Sequence, residues 1–164
     1  MNKAICVLTN TIEKIKGTIE FEEMKNGNIL ITVNITGLKP GKHGFHIHKT
    51  GNLTDNCKSL CSHFNPKKKK HGGPNDKERH IGDLGNIVAD YNGNSMMCLI
   101  DDKIKLKGKC NIIGRSVVIH ENEDDLGKGG LDQNGKIINK KIHLESLKTG
   151  NAGKRIACGV IGIK

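Results

Sequence analysis

Seven of the eight histidines sit at His43, His46, His48, His63, His71, His80 and His120. Imidazole transfers protons near neutrality and is the commonest protein ligand for zinc and copper, so their spacing is the first thing to read. Residues two apart on a strand point the same way, and His46 and His48 therefore offer two rings to one point. Such a pair alone often just sits on a wet face. The set His63, His71, His80 and Asp83 is more specific: three imidazoles and a carboxylate at short loop spacing make a complete tetrahedral zinc shell. A closed shell argues for a structural ion, since catalytic zinc keeps a position open. His46, His48 and the remote His120 would then form a second, imidazole-only site of the type that suits copper, where redox chemistry is available.

Those side chains must be carried by strands. Apolar and polar residues alternate along residues 3–9, 15–21, 28–35, 85–89, 95–100, 117–120 and 156–161, and no stretch of ten or more residues carries a convincing helical stripe. Asn26-Gly27 and Asn92-Gly93 read as two-residue type I′ hairpin turns, which need positive φ at both central residues. Residues 49–83 and 121–153 do not read as strands. Loops longer than about 12 to 15 residues are uncommon in compact domains and tend to be functional. The expected fold is all-β: a single domain over 1–164, built as a Greek-key barrel or immunoglobulin-like sandwich of about eight strands with two long functional loops.

Composition narrows the classes further. The aromatics are only Phe21, Phe45, Phe64 and Tyr91, so the core must be aliphatic and base stacking has few contributors. Lysine and arginine outnumber acids 27 to 17, for a net charge of +10, which fits an anionic substrate or partner. Abundant Lys, Asn and Ile with scarce Arg is also what an A+T-rich genome produces. No apolar run is long enough for a transmembrane helix. The stretch MNKAICVLTN lacks the apolar core of a signal peptide, so the expected location is cytoplasmic, or the host cytoplasm for a viral source.

Five motifs, Gly44-Phe45-His46-Ile47-His48, His63-Phe64-Asn65-Pro66, Lys70-His71-Gly72-Gly73-Pro74, residues 78–86 (ERHIGDLGN) and residues 113–121 (IGRSVVIHE), resemble those of intracellular copper/zinc superoxide dismutases. Residues 124–130 (DDLGKGG) and 149–159 (TGNAGKRIACG) extend the resemblance in the family's order. It implies copper on His46, His48, His63 and His120, zinc on His63, His71, His80 and Asp83, and His63 as an imidazolate bridging both metals. It further implies that Asp124 hydrogen-bonds His46 and His71 from outside the ligand shell, that Arg155 receives superoxide, and that His63 passes it a proton. Thr149 would narrow the channel, with Lys148 as a steering cation. Cys57 and Cys158 match the family's disulfide, while Cys6, Cys98 and Cys110 read as free thiols, Cys6 in the core. Cys61 leaves a rival pairing or a thiolate metal contact open. The implied activity is disproportionation of superoxide to dioxygen and hydrogen peroxide, in antioxidant defence. Implied partners are a second copy, through Ile5, Val7, Gly51, Ile113, Gly114 and Ile163, and a copper-delivery chaperone.

The chain also departs from the family. About a dozen extra residues lie between Gly130 and Lys148, where Asn134-Gly135 could close a small hairpin; loop-closure entropy tolerates such an insertion. Thr50 replaces an aromatic common at the dimer contact, and Lys67 to Lys70 runs directly into His71. Two rival functions can be stated. A copper-delivery module on the same fold lacks the expected Cys-x-x-Cys donor pair. A basic nucleic-acid binder would show salt-sensitive retention on DNA that survives metal removal.

Overall fold

Each alternating run becomes a strand, because a half-buried pleated surface needs one apolar face. The computed structural model describes residues 2–11 and 14–164. In chain order the strands are β1 Lys3–Val7, β2 Asn10–Thr11, β3 Lys16–Glu23, β4 Ile29–Thr36, β5 Gly41–His48, β6 Thr54–Cys57, β7 Asp83–Ala89, β8 Ser95–Asp101, β9 Ser116–His120 and β10 Arg155–Ile163. Eight of them hydrogen-bond in the order β7-β5-β9-β10-β1-β3-β4-β8, all antiparallel, with β2 added beside β10. The end strands β7 and β8 approach one another, so the sheet curls into a nearly closed barrel. Crossing connections from β4 to β5 and from β8 to β9 give it a Greek-key order.

The interior is aliphatic, as the composition requires. Ile29, Ile31, Val33 and Ile35 of β4 are buried while Thr32, Asn34 and Thr36 are exposed, and Ile19, Phe21, Phe45, Ile47, Ile87 and Ile119 join them inside. Strand β5 breaks the alternation, being buried from His43 through His48. Phe45 and Ile47 belong to the core, so His46 and His48 face outward. They are nonetheless buried, because the two long loops cover that face.

Two expectations need correction. Both Asn-Gly pairs sit in tight turns, Asn26-Gly27 closing the β3–β4 hairpin and Asn92-Gly93 linking the end strands β7 and β8, which share no ladder, but neither turn is type I′. Gly27 N–H donates to Met24 O at 2.9 Å and Gly93 N–H to Asp90 O at 3.0 Å. Only the glycines have positive φ, at 80° and 78°. A right-handed turn followed by a left-handed glycine achieves the same reversal in one more residue. Asn134-Gly135 repeats the pattern: Gly135 N–H donates to Asp132 O, and Leu131 bridges Ile137.

The second correction is a helix, α1 Lys140–Thr149, within residues 121–153, whose pattern shows neither strand nor helix. Asn139 caps it by accepting from Ile142 N–H at 3.1 Å, and Gly150 ends it with φ 68°. Its inward face carries buried Ser146 and half-buried His143 and Leu147. Its outward face is dominated by lysine, which hid the periodicity.

Candidate metal centre

His46 and His48 come from β5, and His120 from the end of the adjacent β9. His63, His71 and His80 come from the loop between β6 and β7, and Asp83 opens β7. A register irregularity in the β5–β7 ladder between Gly44 and His46 turns the strand next to these rings. Two groups result, His46/His48/His63/His120 and His63/His71/His80/Asp83, all buried, with ligand atoms inside each group within 4.8 Å of one another. The sequence-read set is therefore assembled whole. His63 belongs to both groups, its ring centroid 4.0 Å from that of His46 and 5.4 Å from that of His80.

Hydrogen bonds dictate which nitrogen each ring presents. His48 Nδ1–H donates to Cys61 O at 2.9 Å and His120 Nδ1–H to Gly153 O at 3.1 Å, since a carbonyl can only accept. His46 Nε2–H and His71 Nε2–H donate to the two oxygens of Asp124, at 2.7 and 2.8 Å. The opposite nitrogens, His46 Nδ1, His48 Nε2, His71 Nδ1 and His120 Nε2, are buried without a hydrogen-bond partner. Such nitrogens are rare in folded proteins and are the lone pairs a metal takes. His71 Nδ1 lies 3.0 Å from Asp83 Oδ2. Asp83 Oδ1 lies 2.8 Å from His63 Nδ1 and 3.1 Å from His80 Nδ1, so one carboxylate meets all three rings. His63 thus turns Nδ1 toward Asp83 and leaves Nε2 for the histidine-only group. The donors fit one site for copper and one for zinc.

Electrostatics separates the two groups. Burial, reinforced by the neighbouring His63, pushes His46 and His48 well below the usual imidazole range, and burial brings His120 down to about 4. These rings are neutral at neutral pH and so can offer lone pairs. His71 goes the other way: burial lowers it, but the Asp124 hydrogen bond and the adjacent Asp83 carboxylate overcome that and raise it to about 9 in the metal-free site. Asp83 is held far below the carboxylate range, because three imidazoles outweigh the desolvation that would raise it.

The family model for copper/zinc superoxide dismutase matches residues 15–161. The chain is 54% identical over 160 residues to "Superoxide dismutase (Cu-Zn)" of Paramecium bursaria Chlorella virus 1, covering 97% of this chain and 77% of the viral one. It is 49% identical over 162 residues to "Superoxide dismutase (Cu-Zn) A" of Xenopus laevis, covering 99% and 98%. The crystal structure of the clock protein EA4 superimposes with a TM-score of 0.88 at 50% identity, covering 99% of this chain and 94% of that one. The chain belongs to the copper/zinc superoxide dismutase family. It is thereby an oxidoreductase acting on superoxide, with an antioxidant role.

Around the metal groups this superoxide dismutase opens a cleft of about 490 Å³ lined by His48, His63, His120, Lys148, Thr149 and Arg155. Arg155, first residue of β10 and register partner of His120, donates to Cys57 O at 2.7 Å, Lys58 O at 3.2 Å and Cys61 O at 2.6 Å. The Cys57–Cys158 disulfide, with Cα atoms 5.8 Å apart, ties that segment to β10. The thiol of Cys61 is free and exposed, and among the described residues it joins no metal group. Its carbonyl, accepting from both His48 and Arg155, is what the site uses. No side-chain signal marks such a role.

Two further residues escaped the sequence reading. Asn86 clamps Asp124, donating to its carbonyl at 2.9 Å and accepting from its N–H at 2.7 Å. Glu145 lines the cleft and accepts from Thr149 Oγ1 at 2.9 Å. Asn86 stood inside a recognised motif; Glu145 lay in the inserted stretch, where the family order gives no guide.

Proposed function

We propose that His46, His48, His63 and His120 hold copper, that His63, His71, His80 and Asp83 hold zinc, and that the enzyme disproportionates superoxide at the floor of the cleft. The assignment rests on the convergent buried nitrogens of His46, His48 and His120, which have lone pairs and no hydrogen-bond partner. Copper, when bound, supplies the alternating one-electron steps that turn two superoxide anions and two protons into dioxygen and hydrogen peroxide, while zinc keeps its valence. Arg155 binds the anion, its guanidinium charged at any working pH and aimed by three carbonyls. Lys148 adds positive potential at the mouth and Thr149 limits its width. Steering of a small anion by such a field, for which superoxide dismutases are themselves the standard example, speeds capture. His63 Nε2 can carry a proton to the reduced anion, with Asp83 orienting the ring through Nδ1.

Metal analysis of the purified protein should find copper and zinc in equimolar amounts, and the loaded protein should inhibit superoxide-driven dye reduction. Arg155→Ala should lower that inhibition roughly ten-fold or more while keeping both metals. His120→Ala should lose copper and activity and keep zinc. A fully metallated protein with no effect on dye reduction overturns the reading.

Three further assignments belong with it. Residues 1–164 form one domain, supported by a principal core shared by all eight barrel strands. The working form is a homodimer, supported by exposed Val7 and Ile163 beside half-buried Ile5, Gly51 and Ile113, and light scattering at micromolar concentration tests it. The compartment is the cytoplasm, where four free thiols persist unpaired and a copper-delivery chaperone can load the buried site.

A further inference from the structure

The inserted segment leaves an apolar and basic surface that the active site does not use. Ile137, Ile138 and Leu144 are 50%, 69% and 50% exposed, on a chain whose other isoleucines mostly fill the barrel. They are not scattered. The Asp132–Gly135 turn projects Ile137 and Ile138 just before α1, and Leu144 stands between Lys140 and Lys148 at i−4 and i+4 on the helix's outer face. Lys136, Lys140 and Lys141, all exposed, frame these apolar groups.

The acids of the segment are turned away from that face. The Asp132 side chain accepts from Asn134 N–H and Lys136 N–H, both at 2.9 Å, inside the turn. Glu145 is engaged by Thr149 on the cleft side. Further charge precedes the helix contact: His71 N–H donates to Leu147 O at 2.9 Å, and the exposed run Lys67–Lys70, in which Lys69 pairs with Glu78, leads directly into that bond.

We propose that this face, residues 136–144 together with the Lys67–Lys70 run that leads into the helix contact, docks on an anionic lipid surface. Its charge is complementary to acidic headgroups, and its exposed isoleucines and leucine can enter the headgroup boundary, where amphipathic helices bind by apolar burial plus attraction to anionic lipid. A nucleic acid fits less well. Its phosphates gain nothing from three apolar side chains, the face has no arginine fork and no aromatic, and lysine ammonium groups suit a diffuse anionic sheet.

The experiment is co-sedimentation of the full-length, metal-loaded protein with vesicles of phosphatidylcholine alone or mixed with phosphatidylserine, at physiological ionic strength. The wild type should sediment with the phosphatidylserine vesicles and stay in solution with phosphatidylcholine. I137S/I138S should lower partitioning at least about ten-fold by removing the apolar anchor. K140E/K141E should lower it by at least about 25-fold, since each lysine near such a surface contributes roughly five-fold and each introduced glutamate is repelled. Both variants should keep wild-type dye-reduction activity, showing that the fold is intact. Equal sedimentation with both vesicle types overturns the proposal. So does binding unchanged in I137S/I138S; heparin or duplex DNA retention that is lost only in K140E/K141E would then assign the face to polyanions.

Discussion

Replacing Asp124 by Asn tests the site at its most economical point. Its carboxylate is fully buried and accepts one N–H from His46 and one from His71, so a single residue sets the tautomer of a ring in each metal group. Asparagine has one acceptor oxygen and one NH₂ donor. Whichever way the amide turns, one of the two rings meets a donor. That ring either keeps an N–H with no partner or moves its proton to Nδ1, the nitrogen it presents to its metal group. A hydrogen bond to a charged group contributes about 1.5–3 kcal/mol, so one lost bond corresponds to roughly 10- to 100-fold in affinity for one metal, in line with other outer-shell partners. Chelator competition for copper and zinc measures it directly. Asp124→Asn should weaken one metal strongly and the other little, whereas Asp124→Ala should weaken both. Denaturation of the metal-free variants separates binding from folding. If both variants hold both metals as tightly as the wild type, Asp124 does not orient the ligands and the tautomer argument is wrong.

Gly150→Ala places a Cβ 1.9 Å from Asp124 Oδ1 and 2.5 Å from His71 Nε2 at φ 68°; it should destabilise the protein by at least about 2 kcal/mol in denaturant unfolding and weaken zinc. An unchanged midpoint would mean the loop carrying Asp124 shifts freely. Cys57→Ser opens a bridge spanning 101 residues, and loop-closure entropy predicts a loss of up to about 4.7 kcal/mol. Urea midpoints under oxidising conditions check it, and dismutase activity should fall even in the fraction still folded. Alkylation at mildly alkaline pH should label exposed Cys61 and Cys98 and spare Cys6, whose thiol burial pushes up to about 12. Peptide mapping that finds native Cys6 labelled would contradict its place in the core.

Most of the site was legible in the sequence because its parts are side chains with few other uses. His63, His71, His80 and Asp83 fall at ligand spacing, and alternation alone aims His46 and His48 together. What was not legible is carried by backbone and by context. The carbonyls of Cys57, Lys58 and Cys61 that hold Arg155 leave no mark in residue type. Helix α1 was missed because Lys140, Lys141 and Lys148 dilute an apolar stripe that needs only Ser146, His143 and Leu147 to seat it, against Asp125 and the backbone of His71. The turn type at Gly27 and Gly93 was misread for a related reason. Asn-Gly admits two geometries, and the way the flanking chain leaves the turn, set by the β3–β4 register at Gly27 and by the pairing of β7 with β5 and of β8 with β4 at Gly93, chooses between them.

The guanidinium of Arg155 leans on carbonyls from a stretch roughly a hundred positions away along the chain, and a sulfur–sulfur bond, with the small buried cluster of Leu60 and Val118 beside it, staples that stretch to the strand it serves. Catalytic competence is thereby subject to the thiol–disulfide balance of its surroundings: a newly made, reduced copy can own every ligand yet leave its anion receptor adrift.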